Sequence, residues 1–357
     1  MTEPMITNHI IRFGDSRDNF PLKSNSVDLI ITSPPYPMIE MWDMLFFDFL
    51  DIKPDKEMKT NALFEAMHQE LDKVWSECYR VLKPGGFACL NIGDAVRTFY
   101  KTFQLFPNHA RVMDFCMDIG LIPLPLILWR KPTNAPNKFM GSGMLPAGAY
   151  VTLENEYILI FRKMGKRTFL TPEDKLRRKQ SAFFWEERNQ WFSDTWSFKG
   201  TKQKLNHKNI ERSAAFPFEL PYRLINMYSL KGDVILDPFL GTGTTSLAAM
   251  ASGRNSIGIE YNNDFKEIIE NNLTNNIDFM NGYIKERLNN HFTYTETNGI
   301  DNFNYHNKSH NCPVKTNQEI EIQIDQIKEI LLGNSNADNT LIFNTEYNNT
   351  LIQQDKE

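Results

Sequence analysis

Paired cysteines are missing from this chain of 357 residues. Cys78, Cys89, Cys116 and Cys312 are scattered, with no Cys-x-x-Cys and no Cys/His ligand spacing. A disulfide scaffold or a structural zinc is therefore excluded, no metal is implied, and a reducing cytoplasm is the expected location. Long hydrophobic runs are also absent. The longest of interest, Leu121–Trp129, is interrupted by Pro123 and Pro125 and is about half the ~18 residues a membrane span needs, so no membrane partner is expected. Met1–Ile10 has no basic segment leading into an apolar one, and no secretory signal is expected. Internal repeats are lacking. So is an overall positive charge: 39 Lys and Arg stand against 44 Asp and Glu, a net −5, which taken alone argues against a nucleic-acid partner.

The residues that are present can build a large core. Hydrophobic residues make up 41% and aromatics 12%, which excludes global disorder. Positive charge, moreover, is concentrated. Between Arg162 and Arg212 fourteen Lys and Arg face six Asp and Glu, an excess of eight that leaves −13 for the rest of the chain. Such segregation can set a polyanion against one face of an acidic protein, although a solvated basic loop has the same composition.

Strand-like and helix-like segments alternate over the first two thirds. His9–Phe13 reads as a short strand, Val27–Thr32 as a strand buried on both faces, and Phe87–Ile92, Leu124–Trp129 and Tyr157–Phe161 as further strands. Helical spacing covers Ala62–Leu82, with Leu63, Met67, Leu71, Val74, Trp75 and Cys78 on one side. Helices are also expected near Arg111–Ile119 and over Pro221–Met227. Val234–Leu236 and Asn255–Glu260 read as strands, with helices from about Thr244 and over Asp264–Asn272. The alternation predicts an α/β fold with a mostly parallel, doubly wound sheet. From about Asn275 the composition turns to Asn with few large apolar residues. That tail reads as an appended region, helical at Glu319–Leu332 and otherwise partly disordered.

Two clusters carry chemistry. Asp237-Pro238-Phe239-Leu240-Gly241-Thr242-Gly243 places a Gly-x-Gly turn between a strand and a helix that starts at Thr244. Glycines let a ligand approach the backbone, and the helix start offers free N–H donors. Glu260, at the end of the next strand, can accept both hydroxyls of a ribose. The Lys of a phosphate-binding P-loop is missing, and so is the third Gly of a dinucleotide fingerprint. Asp237 at the loop mouth suits a ligand bearing an ammonium group, which S-adenosylmethionine combines with a ribose and an adenine.

The second cluster is Thr32-Ser33-Pro34-Pro35-Tyr36, a stiff loop at the end of a buried strand. An exocyclic amino group on a base is a poor nucleophile because its lone pair is delocalised into the ring. The Ser33 hydroxyl and the Pro34 carbonyl could accept its two N–H bonds, and Tyr36 could stack on a flipped base. A turn or a proline-rich docking motif is the plainer alternative. Met38–Asp55, with Trp42, Phe46, Phe47 and Phe49, could pack hydrophobically or form a lid, and Pro132–Ala149 is a second candidate mobile element.

Taken together and in this order, Thr32–Tyr36 and Asp237–Thr245 (DPFLGTGTT) resemble the β class of DNA amino-methyltransferases from restriction–modification systems. The resemblance spans about His9–Asn272. It implies a circularly permuted, Rossmann-like methyltransferase sheet with an inserted target-recognition region. Its divisions would be a catalytic half over 1–162, a DNA-recognition region over 163–212, a cofactor half over 213–274 and a C-terminal extension over 275–357.

By that resemblance Ser33, Pro34, Pro35 and Tyr36 are catalytic. S-adenosylmethionine would be held by Asp15, Phe216, Pro217, Asp237, Pro238, Phe239, Gly241, Gly243, Thr244 and Glu260, with Gly14, Ala215 and Glu219 nearby. Arg177, Arg178, Lys179, Lys199, Lys202 and Lys204 would meet the phosphates of double-stranded DNA, above a small core of Trp185, Trp191 and Trp196. Arg80–Gly86 would be a structural turn. A cognate restriction endonuclease sharing the target site is the implied partner, and the chain would act as a monomer or homodimer. Ser33 resembles the cytosine-N4 subgroup, with adenine N6 as the alternative. A methyltransferase for protein glutamine or RNA, which would carry the cofactor motif first, and a non-catalytic DNA-specificity subunit are the remaining alternatives.

Overall fold

A strand covered on both faces reads as an unbroken apolar run, and β2 (Val27–Thr32) is buried at every position. The computed structural model describes residues 5–52, 60–99, 101–131, 140–200, 203–204, 211–212, 216–334 and 339–348. It builds a ten-stranded sheet around this run. The other strands, in chain order, are β1 (Ile6–Phe13), β3 (Leu82–Ile92), β4 (Leu121–Arg130), β5 (Asn155–Lys163), β6 (Thr195–Ser197), β7 (Val234–Asp237), β8 (Asn255–Glu260), β9 (Gln326–Gly333) and β10 (Thr340–Asn348). Across the sheet they lie as β6-β4-β5-β3-β2-β7-β8-β1-β10-β9. The five central strands, β3 to β1, run parallel. β5 is antiparallel to both its neighbours, and β10 to both of its own.

Helices cover both faces, as a doubly wound sheet requires. On one face lies α2 (Thr60–Val81), whose Leu63, Met67, Leu71, Val74, Trp75 and Cys78 are all buried, as their spacing predicts. Burying each large side chain of that stripe stabilises the fold by roughly 1.5–3 kcal/mol relative to exposure. Its neighbours on this face are α1 (Asp43–Leu50) and α3 (Asn108–Asp118). On the other face are α6 (Glu219–Tyr228), α7 (Thr244–Ala251), α8 (Lys266–Asn275) and α9 (Ile277–Thr297), which share a core with Leu29, Ile31 and Ile235. Arg80–Gly86 carries the chain from α2 into β3. Gly85 has φ +79°, and a Cβ there would come within 2.7 Å of the Arg167 backbone nitrogen.

The tail is not an appendage. Met280, Ile284, Leu288 and Phe292 recur every fourth residue and are buried, so residues diluted among Asn still form the apolar stripe of α9. The segment expected to be helical over Glu319–Leu332 holds a strand instead, β9. An apolar run such as Ile330-Leu331-Leu332 does not by itself choose between helix and strand. Pairing with β10 decides it, and β10 alternates inward Leu341, Phe343, Thr345 and Tyr347. β10 then covers the edge of β1, removing an exposed strand edge from the sheet.

The basic segment is likewise part of the main body. α4 (Pro172–Gln180), α5 (Trp185–Trp191) and β6 all fall within it, and Phe184, Trp191 and Trp196 are buried, with Phe184 and Trp196 in the main core. Trp185, expected beneath the basic residues, is 41% exposed. No helix of the described residues is long and apolar enough to cross a membrane.

Candidate active site

Parallel strands all end on one side, and the loops leaving those ends meet there. β2 ends at Thr32 and runs into Ser33–Tyr36; β7 ends at Asp237 and runs into the glycine turn. The two strands are direct neighbours, with Ile235 beside Leu29 and Leu236 beside Ile30. Motifs some 200 residues apart therefore share one edge. Between them lies an open cavity of about 730 Å³, mouth included. Ser33 and Pro35 line it from one motif, and Pro238, Phe239 and Gly241 from the other. Asp15, Glu260, Tyr261 and Asn262 complete one wall.

The turn is held open by backbone bonds to Glu260. One carboxylate oxygen accepts from the Gly241 N–H (2.8 Å) and the other from the Asn262 N–H (2.9 Å). Gly241 takes φ +59°, and nothing lies within 4 Å of where its Cβ would be, so the backbone is bare on its cavity side. Asp15 is gripped by Arg17 (2.6 Å), which also reaches Glu70 (2.8 Å) and lies 3.6 Å from the centroid of Phe49. Trp42, Leu45 and Phe49, around and within α1, line the apolar wall, while Phe46 points into the core. The described part of this segment, residues 38–52, thus both packs and lines the cavity. Residues 53–55 lie outside the described residues, as does 132–139 of the other candidate mobile element.

Asp237 is not among the cavity-lining residues. It is 2% exposed, and its carboxylate lies in the turn instead of the cavity. Thr32 Oγ1 donates to Oδ1 (2.6 Å), the Phe239 N–H to the same oxygen (3.0 Å) and Thr245 Oγ1 to Oδ2 (2.5 Å). Burial pushes its pKa up to about 6, although these three donors pull the other way. Asp237 is a clamp between β2, the turn and α7. Gly243 (φ +93°) and Thr244 shape the start of α7, and neither they nor Phe216 and Pro217 line the cavity. Phe216 is buried in the core beneath α6, and the Pro217 carbonyl accepts from the Leu220 N–H (3.0 Å). Glu219 pairs with Arg223, and Ala215 lies outside the described residues.

Ser33 and Tyr36 belong to a polar cluster that the motif does not announce. Ser33 Oγ and Tyr36 Oη are 2.9 Å apart. Tyr36 donates to Glu156 Oε2 (3.0 Å), and Asn91 Nδ2 donates to both Tyr36 Oη (2.8 Å) and Glu156 Oε2 (2.6 Å). Lys131 Nζ pairs with Glu156 Oε1. Tyr36 is buried, with its ring against Gly93, and is not among the cavity-lining residues. Burial, and then the charge of Glu156, hold its hydroxyl well above the usual tyrosine range. The available signal was a polar residue on the same edge of each neighbouring strand: Asn91 near the end of β3 and Glu156 near the start of β5.

The basic residues divide between two edges. Arg167 pairs with Asp233 and approaches Asp28 (3.8 Å), and Arg177 lies 3.9 Å from Asp233. Asp233 and Asp28 sit at the amino ends of β7 and β2. Arg177, Arg178 and Lys179 on α4 therefore lie on the edge away from the cavity. Lys199 follows β6, which runs parallel to β4 and ends beside Arg130, so it lies on the cavity edge. Lys204 is in a two-residue strand paired with Glu211–Arg212, and Lys202 lies outside the described residues.

The fold and cavity are those of one class of protein: the chain belongs to the DNA methylase family, whose sequence model matches residues 27–271. It is 51% identical over 327 residues to the type II methyltransferase M.MthZI of Methanothermobacter thermautotrophicus, covering 90% of this chain and 91% of that one. It is 50% identical over 287 residues to the type II methyltransferase M.MjaI of Methanocaldococcus jannaschii, covering 76% and 93%. The structure of TTHA0409, a putative DNA modification methylase from Thermus thermophilus complexed with S-adenosyl-L-methionine, aligns with TM-score 0.58 at 31% identity. That alignment covers 74% of this chain and 93% of that one. The protein is a type II DNA amino-methyltransferase.

Proposed function

We propose that the protein methylates the exocyclic N4 of cytosine in double-stranded DNA, using S-adenosylmethionine, after flipping the base out of the duplex. The observation that carries this reading is the single cavity lined by both motifs. Ser33 and Pro35 stand on one side of it, and Gly241 and Glu260 on the other.

The residues present fit the cofactor. Glu260 lines the cavity, with its carboxylate fixed by the Gly241 and Asn262 N–H groups at the end of β8, where a carboxylate suits the hydroxyls of a ribose. The side-chain-free surface at Gly241 admits a ligand against the backbone. The apolar wall of Trp42, Leu45, Leu71, Val74 and Phe239 suits an adenine ring or an extruded base. The cofactor supplies an electrophilic methyl group on a positively charged sulfur. The sulfonium carries its own positive charge, so the transfer as proposed implies no metal.

Ser33 then accepts one amino N–H and the Pro34 carbonyl the other, drawing the nitrogen lone pair out of conjugation. Orientation and preset dipoles supply most of the rate, with no covalent enzyme intermediate. Cys78, Cys89, Cys116 and Cys312 are buried, in keeping with direct transfer. A neutral Ser33 hydroxyl suits the N4 group of cytosine, and adenine N6 is the alternative acceptor of the same chemistry. The test is to methylate duplex DNA, digest it to nucleosides and weigh them. N4-methylcytosine is expected; N6-methyladenine would move the reading to adenine, and no methylated nucleoside from enzyme that binds the cofactor would overturn it.

A further inference from the structure

We propose that Glu156 is a positioning residue for methyl transfer: through Tyr36 it fixes Ser33 as a hydrogen-bond acceptor toward the base, and it takes up the proton the amino group releases. The inference rests on the reading above and adds a residue, from β5, that lies outside both motifs.

Counting protons leads to it. Tyr36 has one hydroxyl proton, and three polar side chains crowd its oxygen. Ionised Glu156 can only accept, so that proton goes to Oε2 (3.0 Å). Asn91 Nδ2 donates to the Tyr36 oxygen (2.8 Å) and, with its second proton, to Glu156 (2.6 Å). In the remaining contact, Ser33 Oγ to Tyr36 Oη at 2.9 Å, the serine must therefore be the donor. With its only proton directed inward, Ser33 turns lone pairs to the cavity it lines. One carboxylate thus sets the polarity of a hydroxyl two hydrogen bonds away.

Glu156 is itself held. Lys131 pairs with its other oxygen and lies 4.4 Å from the Trp129 ring centroid. β4 places Trp129 directly beside Glu156 across the ladder. A Cβ at Gly93 would come within 3.0 Å of the Tyr36 ring and 3.3 Å of the Glu156 side chain, so this glycine admits the ring.

The same chain of bonds gives the proton a path. The amino nitrogen gains the methyl group as the carbon–sulfur bond breaks, and the nitrogen becomes cationic. It loses one proton to Ser33 Oγ; the original Ser33 proton passes to Tyr36, and the Tyr36 proton to Glu156. The products are a neutral methylamino group, a neutral thioether and a protonated Glu156, so charge and atoms balance.

Glu156→Gln tests it. The amide has nearly the same shape but can donate to Tyr36, which reverses the chain and turns the Ser33 proton toward the base. We expect kcat to fall about 100-fold with KM for cofactor and DNA little changed. In a Tyr36→Phe background, where the link is already cut, Glu156→Gln should have little further effect. Calorimetric cofactor binding equal to the wild type separates this from misfolding. If Glu156→Gln unfolds, Lys131→Met and Tyr36→Phe should each still lower kcat without changing cofactor affinity. A Gln variant with wild-type kcat, or full additivity with Tyr36→Phe, overturns the proposal. Absence of methylation by the wild-type enzyme would instead overturn the underlying function.

Discussion

The two edges of the central sheet are both rich in polar side chains, yet they are built for different ends. At the amino edge the buried charges are neutralised within the protein. Asp28 meets Lys83 and Arg167, Asp233 meets Arg167 and lies near Arg177, and Lys231 meets Asp325. At the carboxyl edge the same residue types hold a turn and a hydroxyl in place around an open cavity: Asp237 clamps, Glu260 holds the glycine turn, and Glu156 closes the Tyr36 cluster. Charge at one edge joins α4 to the sheet. At the other it presents chemistry. A run of basic residues along a chain therefore does not locate a surface, because the fold can use it internally.

The largest contrast should appear on activity. Ser33→Ala removes an acceptor from the cavity and is expected to lower kcat by about 100-fold or more, leaving thermal stability within about 0.5 kcal/mol of the wild type. Single-turnover methylation and a melting curve on the same sample check both halves. Loss of stability in place of loss of rate would break the distinction between the edges.

Asp237 tests whether the carboxyl edge trades stability for its clamp. Its carboxyl titrates at about 6 in the fold, against an ordinary 3.8, because burial disfavours its charge. The folded state therefore binds that proton more tightly than the unfolded chain does. The resulting stability, up to about 3 kcal/mol, is fully present below about pH 4 and is lost as pH rises through about 6. Asp237→Asn lacks this slope. Urea titrations should show the wild type losing ground to the variant between about pH 4 and about pH 6, and a constant difference across that range would reject the assignment.

Arg167→Ala is the counterpart at the amino edge. It strips the main partner from Asp233, which is 2% exposed, and should destabilise by about 2 kcal/mol, below the ~3–5 kcal/mol of a broken buried pair because Arg177 and the Leu230 N–H remain. Urea titration measures that loss, and the kcat of the folded fraction should not change.

Much of this division was legible in the sequence, and the part that was not has a physical reason. β2, β8 and the start of α7 fall where the apolar runs and turn residues put them, because each is decided by its own segment. Both motifs were visible for the same reason. Glu156 and Asn91 were not: they lie 120 and 55 residues from Tyr36, and the β2–β3 and β3–β5 ladders bring them together. The strands β9 and β10 depend in the same way on pairing with each other and with β1, which no local pattern in an Asn-rich tail declares.

The smallest expected effect bears most directly on where DNA lies. Arg130 and Lys199 are exposed on the cavity edge, whereas Arg178 and Lys179 are exposed on the opposite one. Each phosphate contact that is removed should lower the slope of log K against log salt by about 1. Arg130→Ala and Lys199→Ala should therefore each flatten the salt dependence of duplex binding by about that amount. The pair Arg178→Ala and Lys179→Ala should leave it unchanged, since β7, four residues or about 13 Å long, separates their edge from the cavity. A flattened slope in the α4 variants, with none at Arg130 and Lys199, would mean that the duplex approaches the amino edge, and the separation of roles between the two edges would fail.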